Sequence, residues 1–373
     1  MKTGIKNFFA TGVGVIAVGV LIGILAPLLQ KLGNPGNMGI CAACFNRDIA
    51  GAIGLHRAGV VQYMRPEIIG FILGSTIAAL ATREFNARGG SSPLIRFFLG
   101  AFAMIGALIF LGCPWRALLR LSGGDLNAIL GISGFVVGVW VGTMFFKSGF
   151  SLGRSAKMSS FAGWIFPITF IGFLILRILY QPPIPGADVA GDSLQSGILW
   201  YSIKGPGAAF APLGISLIAG LIIGVICQRS RFCTMGAFRD LILFKQMHLL
   251  GGVIALVVVA LIMNLILGQF KLGFASQPVA HTVHFWNFAG MVLAGLAFAL
   301  AGGCPGRQCF MSGEGDTDAG IFVIGMIVGA AFAHNFGLAS SPVGIGAHTI
   351  TAWVIGMAFC IVVGLTMKLK AKA

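Results

Sequence analysis

Gly112-Cys113-Pro114-Trp115-Arg116, which runs on to Gly124-Asp125, and Gly303-Cys304-Pro305-Gly306-Arg307, which runs on to Gly315-Asp316, state one pattern twice. The two cysteines stand at an offset of 191 residues. Upstream, the run from Cys41 to Arg47-Asp48 is answered by the run from Cys233 to Arg239-Asp240, at an offset of 192. Downstream the match continues: Gly134 answers to Gly325, Gly138 to Gly329, Phe145 to Phe336, and the span holding Trp164 to the span holding Trp353. Cysteine and arginine therefore recur at matching points of two halves, the pattern expected when both halves build one central site.

Composition sets the medium in which the halves meet. Hydrophobic residues make up 57% of the 373, charged residues 9%, and the mean hydropathy is +0.95, so a soluble domain is excluded: such a surface would aggregate in water. Apolar runs at about 8–29, 66–82, 94–112, 128–147, 161–180, 212–228, 249–270, 285–303, 320–338 and 347–367 approach the roughly 20 residues a helix needs to cross hydrocarbon. The chain reads as an all-α polytopic membrane protein of about ten transmembrane helices. Its first run follows Lys2 and Lys6 without a small-residue cleavage site, so it is expected to be a retained span. Residues 1–180 form the first membrane repeat, 181–211 an extracytoplasmic linker and 212–373 the second repeat. An odd number of spans per repeat inverts the second copy, a plan that puts a substrate site near the bilayer midplane between the halves.

The formal charge of +15 is distributed in short loops and not in a patch interleaved with exposed aromatics, which points to positive-inside sorting and away from nucleic acid. With both termini cytoplasmic, Arg83, Arg88 and Arg96, then Lys147, Arg154 and Lys157, then Arg229, Arg231 and Lys245, and finally Lys368, Lys370 and Lys372 fall inside. The linker, with Asp188 and Asp192 against Lys204, falls outside. Two stretches oppose the bias: Arg47, Arg57 and Arg65, and Arg116 and Arg120. Their outward placement suits an anion entrance.

Residues 33–65 and 228–247 are too polar to cross lipid and too apolar for ordinary loops, so they read as re-entrant or broken helices, tolerated at membrane depth only where buried or lining a cavity. Proline after Cys113 and after Cys304 suits the first turn of a new helix, whose free amides make a positive pole for an anion. Of eight cysteines, Cys41, Cys44, Cys113, Cys233, Cys304 and Cys309 lie in or at the edge of these segments, whereas Cys227 borders one and Cys360 sits in mid-span as a small buried hydrophobe. The Cys41-Ala42-Ala43-Cys44 spacing gives no closed zinc site, because the six histidines are scattered. No metal and no cofactor is expected. Cys304 and Cys309 would pair as a disulfide only on an oxidising face, and the topology puts them nearer the inside. Arg47, Arg116, Arg239 and Arg307 need partners at membrane depth. Asp48 and Asp240 adjoin two of them, and Asp125 and Asp316 follow the other two, so either self-neutralised ion pairs or guanidinium donors left free for an oxyanion fit the pattern. Glu67 and Glu314 add acids that are either structural or proton-carrying.

The stretch Cys227-Gln228-Arg229-Ser230-Arg231-Phe232-Cys233-Thr234-Met235-Gly236-Ala237-Phe238-Arg239-Asp240 resembles the signature of the YeeE/YedE membrane proteins, which include thiosulfate transporters. The run from Gly33 to Cys41, continuing through Cys44 and Arg47-Asp48 to Arg65-Pro66-Glu67, resembles the YedE subgroup associated with selenium metabolism. The resemblance implies a bacterial inner-membrane transporter, not an enzyme, that relays a selenite-like or thiosulfate-like anion past cysteines, with Cys113, Cys233 and Cys304 carried over as relay thiols. A cytoplasmic sulfur or selenium carrier protein is the implied partner. A membrane-embedded thiol oxidoreductase, a soft-metal transporter and a non-transporting membrane partner of a cytoplasmic selenium-handling protein remain as alternatives. Channel or coupled transport stays open.

Overall fold

The computed structural model describes residues 8–183 and 191–368. Lys2, Lys6, Asp188, Lys370 and Lys372 lie outside the described residues. Among the described residues fourteen α-helices carry the fold. The first half contributes α1 (Gly12–Lys31), α2 (Ala42–Ala52), α3 (Pro66–Ala81), α4 (Pro93–Phe110), α5 (Pro114–Ser122), α6 (Asn127–Lys147) and α7 (Ser160–Leu179). The second contributes α8 (Leu213–Ser230), α9 (Thr234–Phe244), α10 (His248–Ile266), α11 (His284–Ala301), α12 (Pro305–Gly313), α13 (Thr317–Asn335) and α14 (Thr349–Thr366). Among the described residues ten segments are long and apolar enough to cross a membrane, as the apolar runs predict.

Four short helices are the exceptions that matter. An 11-residue helix such as α2 or α9 rises only about 16 Å, half of a hydrocarbon core. Helix α2 is nevertheless buried along its whole length, as a re-entrant segment must be when lipid cannot satisfy its ends. The nine-residue α5 and α12 continue α4 and α11 after a break. Gly302 makes the second break at φ +86°, whereas the first uses Leu111 at φ +65°, where an L side chain costs about 1–2 kcal/mol.

The long helices pair across the halves: α1 with α10, α3 with α8, α4 with α13, α6 with α11, and α4 with α11. Matched glycines make these approaches possible. A Cβ at Gly134 would strike the carbonyl of Phe288, and one at Gly325 the carbonyl of Phe97; Gly138 abuts Val292 in the same way, and Gly329 abuts Ala101. Each contact thus recurs with the halves exchanged, and small residues let the backbones meet. The turns behave alike: Asp125 bridges to Gly273 and Asp316 to Arg88.

Among the described residues two antiparallel strand pairs accompany the helices, β1 (Arg88–Gly89) with β2 (Ala156–Lys157), distant in sequence, and the hairpin of β3 (Ser193–Ser196) with β4 (Leu199–Ser202). The second is more than a linker. Tyr201 is fully buried, the Ser202 amide donates to the Gln62 carbonyl at 2.8 Å, and the Gln62 amide donates to Ser202 Oγ at 2.8 Å, so the hairpin clamps the segment that follows α2. At the other end of the molecule the start of α1, the end of α8, the α9–α10 turn and the loops holding Arg88 and Arg154 gather on one basic face.

Candidate functional site: a path of paired thiols

Each short helix begins at a cysteine. Cys41 caps α2, its sulfur accepting the Cys44 amide at 3.3 Å; Cys233 caps α9 by accepting the Gly236 amide at 3.3 Å. Cys113 and Cys304 are the N-cap residues of α5 and α12, each followed by proline at the first helical position. The chain then brings the caps together in pairs. Cys41 donates from sulfur to sulfur of Cys113 at 3.6 Å, and the Cys304 amide donates to the Cys233 sulfur at 3.4 Å. Two positive helix ends therefore converge on each pair of sulfurs. All eight cysteines are free and buried.

Between the pairs lie Cys309, whose sulfur accepts from Asn46 Nδ2 at 3.6 Å, and Trp115, which packs on Phe71, Phe232 and Phe310. Cys44 donates to the Leu111 carbonyl at 3.8 Å. All six predicted thiols are therefore buried at or beside the short helices α2, α5, α9 and α12. Cys227 and Cys360 lie in other helices, buried in α8 and α14.

Charge is arranged differently at the two ends. Asp48 is shared by two buried arginines, Arg47 at 2.6 Å and Arg65 at 2.7 Å. Arg65 also donates to the carbonyls of Pro206 and Ala209 and stacks on Phe45 and Tyr63. Arg116 is fully buried and donates only to carbonyls, those of Asn37, Leu111, Pro278 and Val279. Its charge meets no carboxylate. On the basic face a cavity of about 640 Å³ reaches Cys233 and is lined by Arg229, Arg231, Arg239, Arg307 and Glu84. Glu314 binds Arg231 at 2.7 Å and Arg307 at 3.2 Å, Glu84 binds Arg229 at 2.8 Å and Arg231 at 3.0 Å, and Arg239 pairs with Asp240. Partial burial raises the Glu84 pKa, yet the hydrogen bonds from Arg229 and Gln228 prevail and hold its carboxyl below the usual range. Among the described residues no three histidine, cysteine or acidic side chains come together as a metal would need.

With that geometry in view, residues 229–370 match the protein family described as sulphur transport. In that stretch the chain is similar to the sulphur-transport proteins. Over 103 residues, 28% of this chain and 31% of the other, it is 33% identical to the thiosulfate transporter TsuA of Spirochaeta thermophila. Over 109 residues, 28% of this chain and 30% of the other, it is 28% identical to the thiosulfate transporter TsuA of Escherichia coli. The matched stretch spans about a third of the length of these relatives. The expected likeness to the YeeE/YedE membrane proteins is borne out, and the family match takes in Cys233, Cys304 and Cys309 together with the arginines of the cavity.

Two ion-pair expectations are corrected. Asp125 takes Arg120 at 2.6 Å and not Arg116, because Asp125 lies one turn beyond Arg120 at the close of α5. Asp316 takes Arg88 at 2.8 Å and not Arg307, which turns instead to Glu314. Arg229 and Arg231 read in the sequence as ordinary loop charges; their place in the signature after Cys227 was the signal that they belong to the cavity, whereas Glu84, far upstream, gave none. Trp115 gave one signal as well, as the residue at which the two Cys-Pro motifs differ.

Proposed function

We propose that this protein carries a small sulfur-bearing or selenium-bearing anion, thiosulfate-like or selenite-like, through the bacterial inner membrane from the outer face to the cytoplasm. The reading rests on one observation, that four cysteines at four helix starts stand in two pairs. Residues 1–180 and 212–373 are the two inverted repeats that supply one pair each, with 181–211 as the outer linker. Both termini and the basic face are cytoplasmic, in keeping with positive-inside sorting.

The chemistry follows from the donors. Arg116, whose charge no carboxylate cancels, and the starts of α2 and α5 attract the anion to Cys41 and Cys113. There the S–H groups offer weak hydrogen bonds in place of water. A thiol is soft enough to suit sulfur or selenium and too weak a donor to trap the anion, and conduction needs binding that releases. Cys44, Arg47 and Cys309 flank the passage. Cys233 and Cys304, at the starts of α9 and α12, receive the anion next, and Arg239 and Arg307 draw it into the inner cavity. A cytoplasmic sulfur or selenium carrier protein would collect it there.

The test is uptake into proteoliposomes of labelled selenite, selenate, thiosulfate, sulfite and sulfate, side by side, by the wild type and Cys233→Ser. Uptake of thiosulfate or selenite that falls in the variant supports the thiol path. Equal uptake by both proteins would sink it.

A further inference from the structure

The two Cys-Pro motifs differ at one position. Where the first has Trp115, the second has Gly306. The structure brings these two residues together: a Cβ built on Gly306 would stand 3.3 Å from the Trp115 ring. The larger residue thus rests on its own counterpart, in the space that the missing side chain leaves. A second tryptophan would not fit there.

Trp115 is 1% exposed and heads the largest fully buried side chains of the molecule. Its ring meets Phe71 at 5.9 Å, Phe232 at 6.0 Å and Phe310 at 6.0 Å between centroids. These neighbours fix its place in the path. Trp115 is two residues from Cys113, Phe232 adjoins Cys233, Phe310 adjoins Cys309, and Gly306 is two residues from Cys304. The indole therefore fills the stretch between the outer and inner thiol pairs. Its Nε1 is buried and has no hydrogen-bond partner. A buried N–H without an acceptor is costly and rare, so a ligand that brings an acceptor has a ready donor at this point.

We propose that Trp115 is the barrier of the path and also one of its stations: the ring seals the outer thiols from the inner cavity, and its N–H is the donor that a passing oxyanion meets. This rests on the reading of the path as a conduit, but its first test does not require transport. Oriented membrane vesicles are treated, on the face carrying Arg231, with a membrane-impermeant maleimide, and the labelled cysteines are mapped by mass spectrometry. In the wild type, Cys233 is labelled and Cys41 and Cys113 are protected. In Trp115→Ala, labelling of Cys113 rises about tenfold or more, since thiol reactivity follows access. Trp115→Phe keeps the seal and leaves Cys113 protected. Trp115→Val, which also removes the indole but keeps a branched apolar side chain, raises labelling as well and stands in for Trp115→Ala if that variant fails size-exclusion chromatography. Unchanged protection of Cys113 in the folded open variants overturns the barrier.

Uptake tests the donor. Trp115→Phe, sealed but lacking the N–H, is expected to lose about tenfold in maximal uptake rate, equivalent to one hydrogen bond. Wild-type uptake by Trp115→Phe overturns the station. If the wild type moves none of the five anions while Trp115→Ala still exposes Cys113, the transport reading fails and the barrier stands.

Discussion

The sulfur of Cys41 lies 3.6 Å from the sulfur of Cys113, across the tips of two helices that start 72 residues apart in the chain. The second half repeats the relationship at nearly the same separation, 71 residues, with the Cys304 amide on the Cys233 sulfur. Each pair joins a re-entrant helix to the second piece of a broken one, so the thiols are held by four helix starts, each fixed by its own turn.

That closeness makes Cys41 and Cys113 a cross-linking site. Diamide, which takes one hydrogen from each thiol and is itself reduced to the hydrazine, is expected to join Cys41 to Cys113 and arrest uptake; dithiothreitol should restore it. Mass spectrometry of unreduced peptides reads the bond directly. A peptide linking Cys41 to some other cysteine, with none linking it to Cys113, would contradict the geometry.

Asp48 holds two buried arginines at once. Asp48→Asn leaves Arg47 and Arg65 facing each other with too little counter-charge, and breaking a buried pair costs about 3–5 kcal/mol. The expected result is a marked fall in the melting temperature of the detergent-solubilised protein. A paired Arg47→Met and Asp48→Asn substitution should recover part of the loss, because it removes the uncompensated charge with its partner. Equal melting of wild type and Asp48→Asn would show that Arg65 alone is satisfied by Pro206 and Ala209.

The fold was legible because its signals are periodic and long. Ten apolar runs, two polar interruptions and a matched set of glycines are properties of the chain itself, and the glycines found their partners at Phe97, Ala101, Phe288 and Val292 through the same offset that first linked Cys113 to Cys304. The pairing of cysteines at helix starts was legible for the same reason. Ion-pair partners were not. Asp125 chooses Arg120 over Arg116 on the strength of one helical turn, and Glu314 collects Arg231 from 83 residues away, which no spacing announces. The clamp of β3 and β4 on Gln62 was also hidden, because Tyr201 and Ser202 carry little weight in a polar stretch until a partner buries them.

His281 ties the loop before α11 to the broken end of α4. Its Nδ1 accepts the Val283 amide at 3.2 Å, which assigns the proton to Nε2, 2.8 Å from the Ile109 carbonyl. Burial pushes the His281 pKa down, and the nearby Arg120 adds to the effect. The folded protein therefore keeps the ring neutral while an unfolded chain takes up a proton as the pH falls through about 6.5. Stability is full above that value and declines below it until the folded ring is protonated too. The wild-type melting temperature should drop on acidification, and His281→Gln, whose side-chain amide keeps one donor, should give a flatter profile. Parallel profiles would remove His281 from the pH dependence.

Glu314 accepts two arginines that line the cavity reaching Cys233, Arg231 at 2.7 Å and Arg307 at 3.2 Å. On the proposed path it would compete with an anion arriving there, weaken the hold of the guanidinium groups on it and speed its departure. Glu314→Gln removes the competing charge and keeps the shape. The freed donors should then bind the anion more tightly, by about 1–3 kcal/mol for charge-assisted hydrogen bonds, or roughly ten- to hundredfold in affinity. Tighter binding at an exit slows release, so KM and the maximal rate of uptake should fall together. Initial rates over a range of anion concentrations separate the two constants. A lower rate with an unchanged KM would mean that Glu314 supports the fold of α12 and does not contend for the cargo.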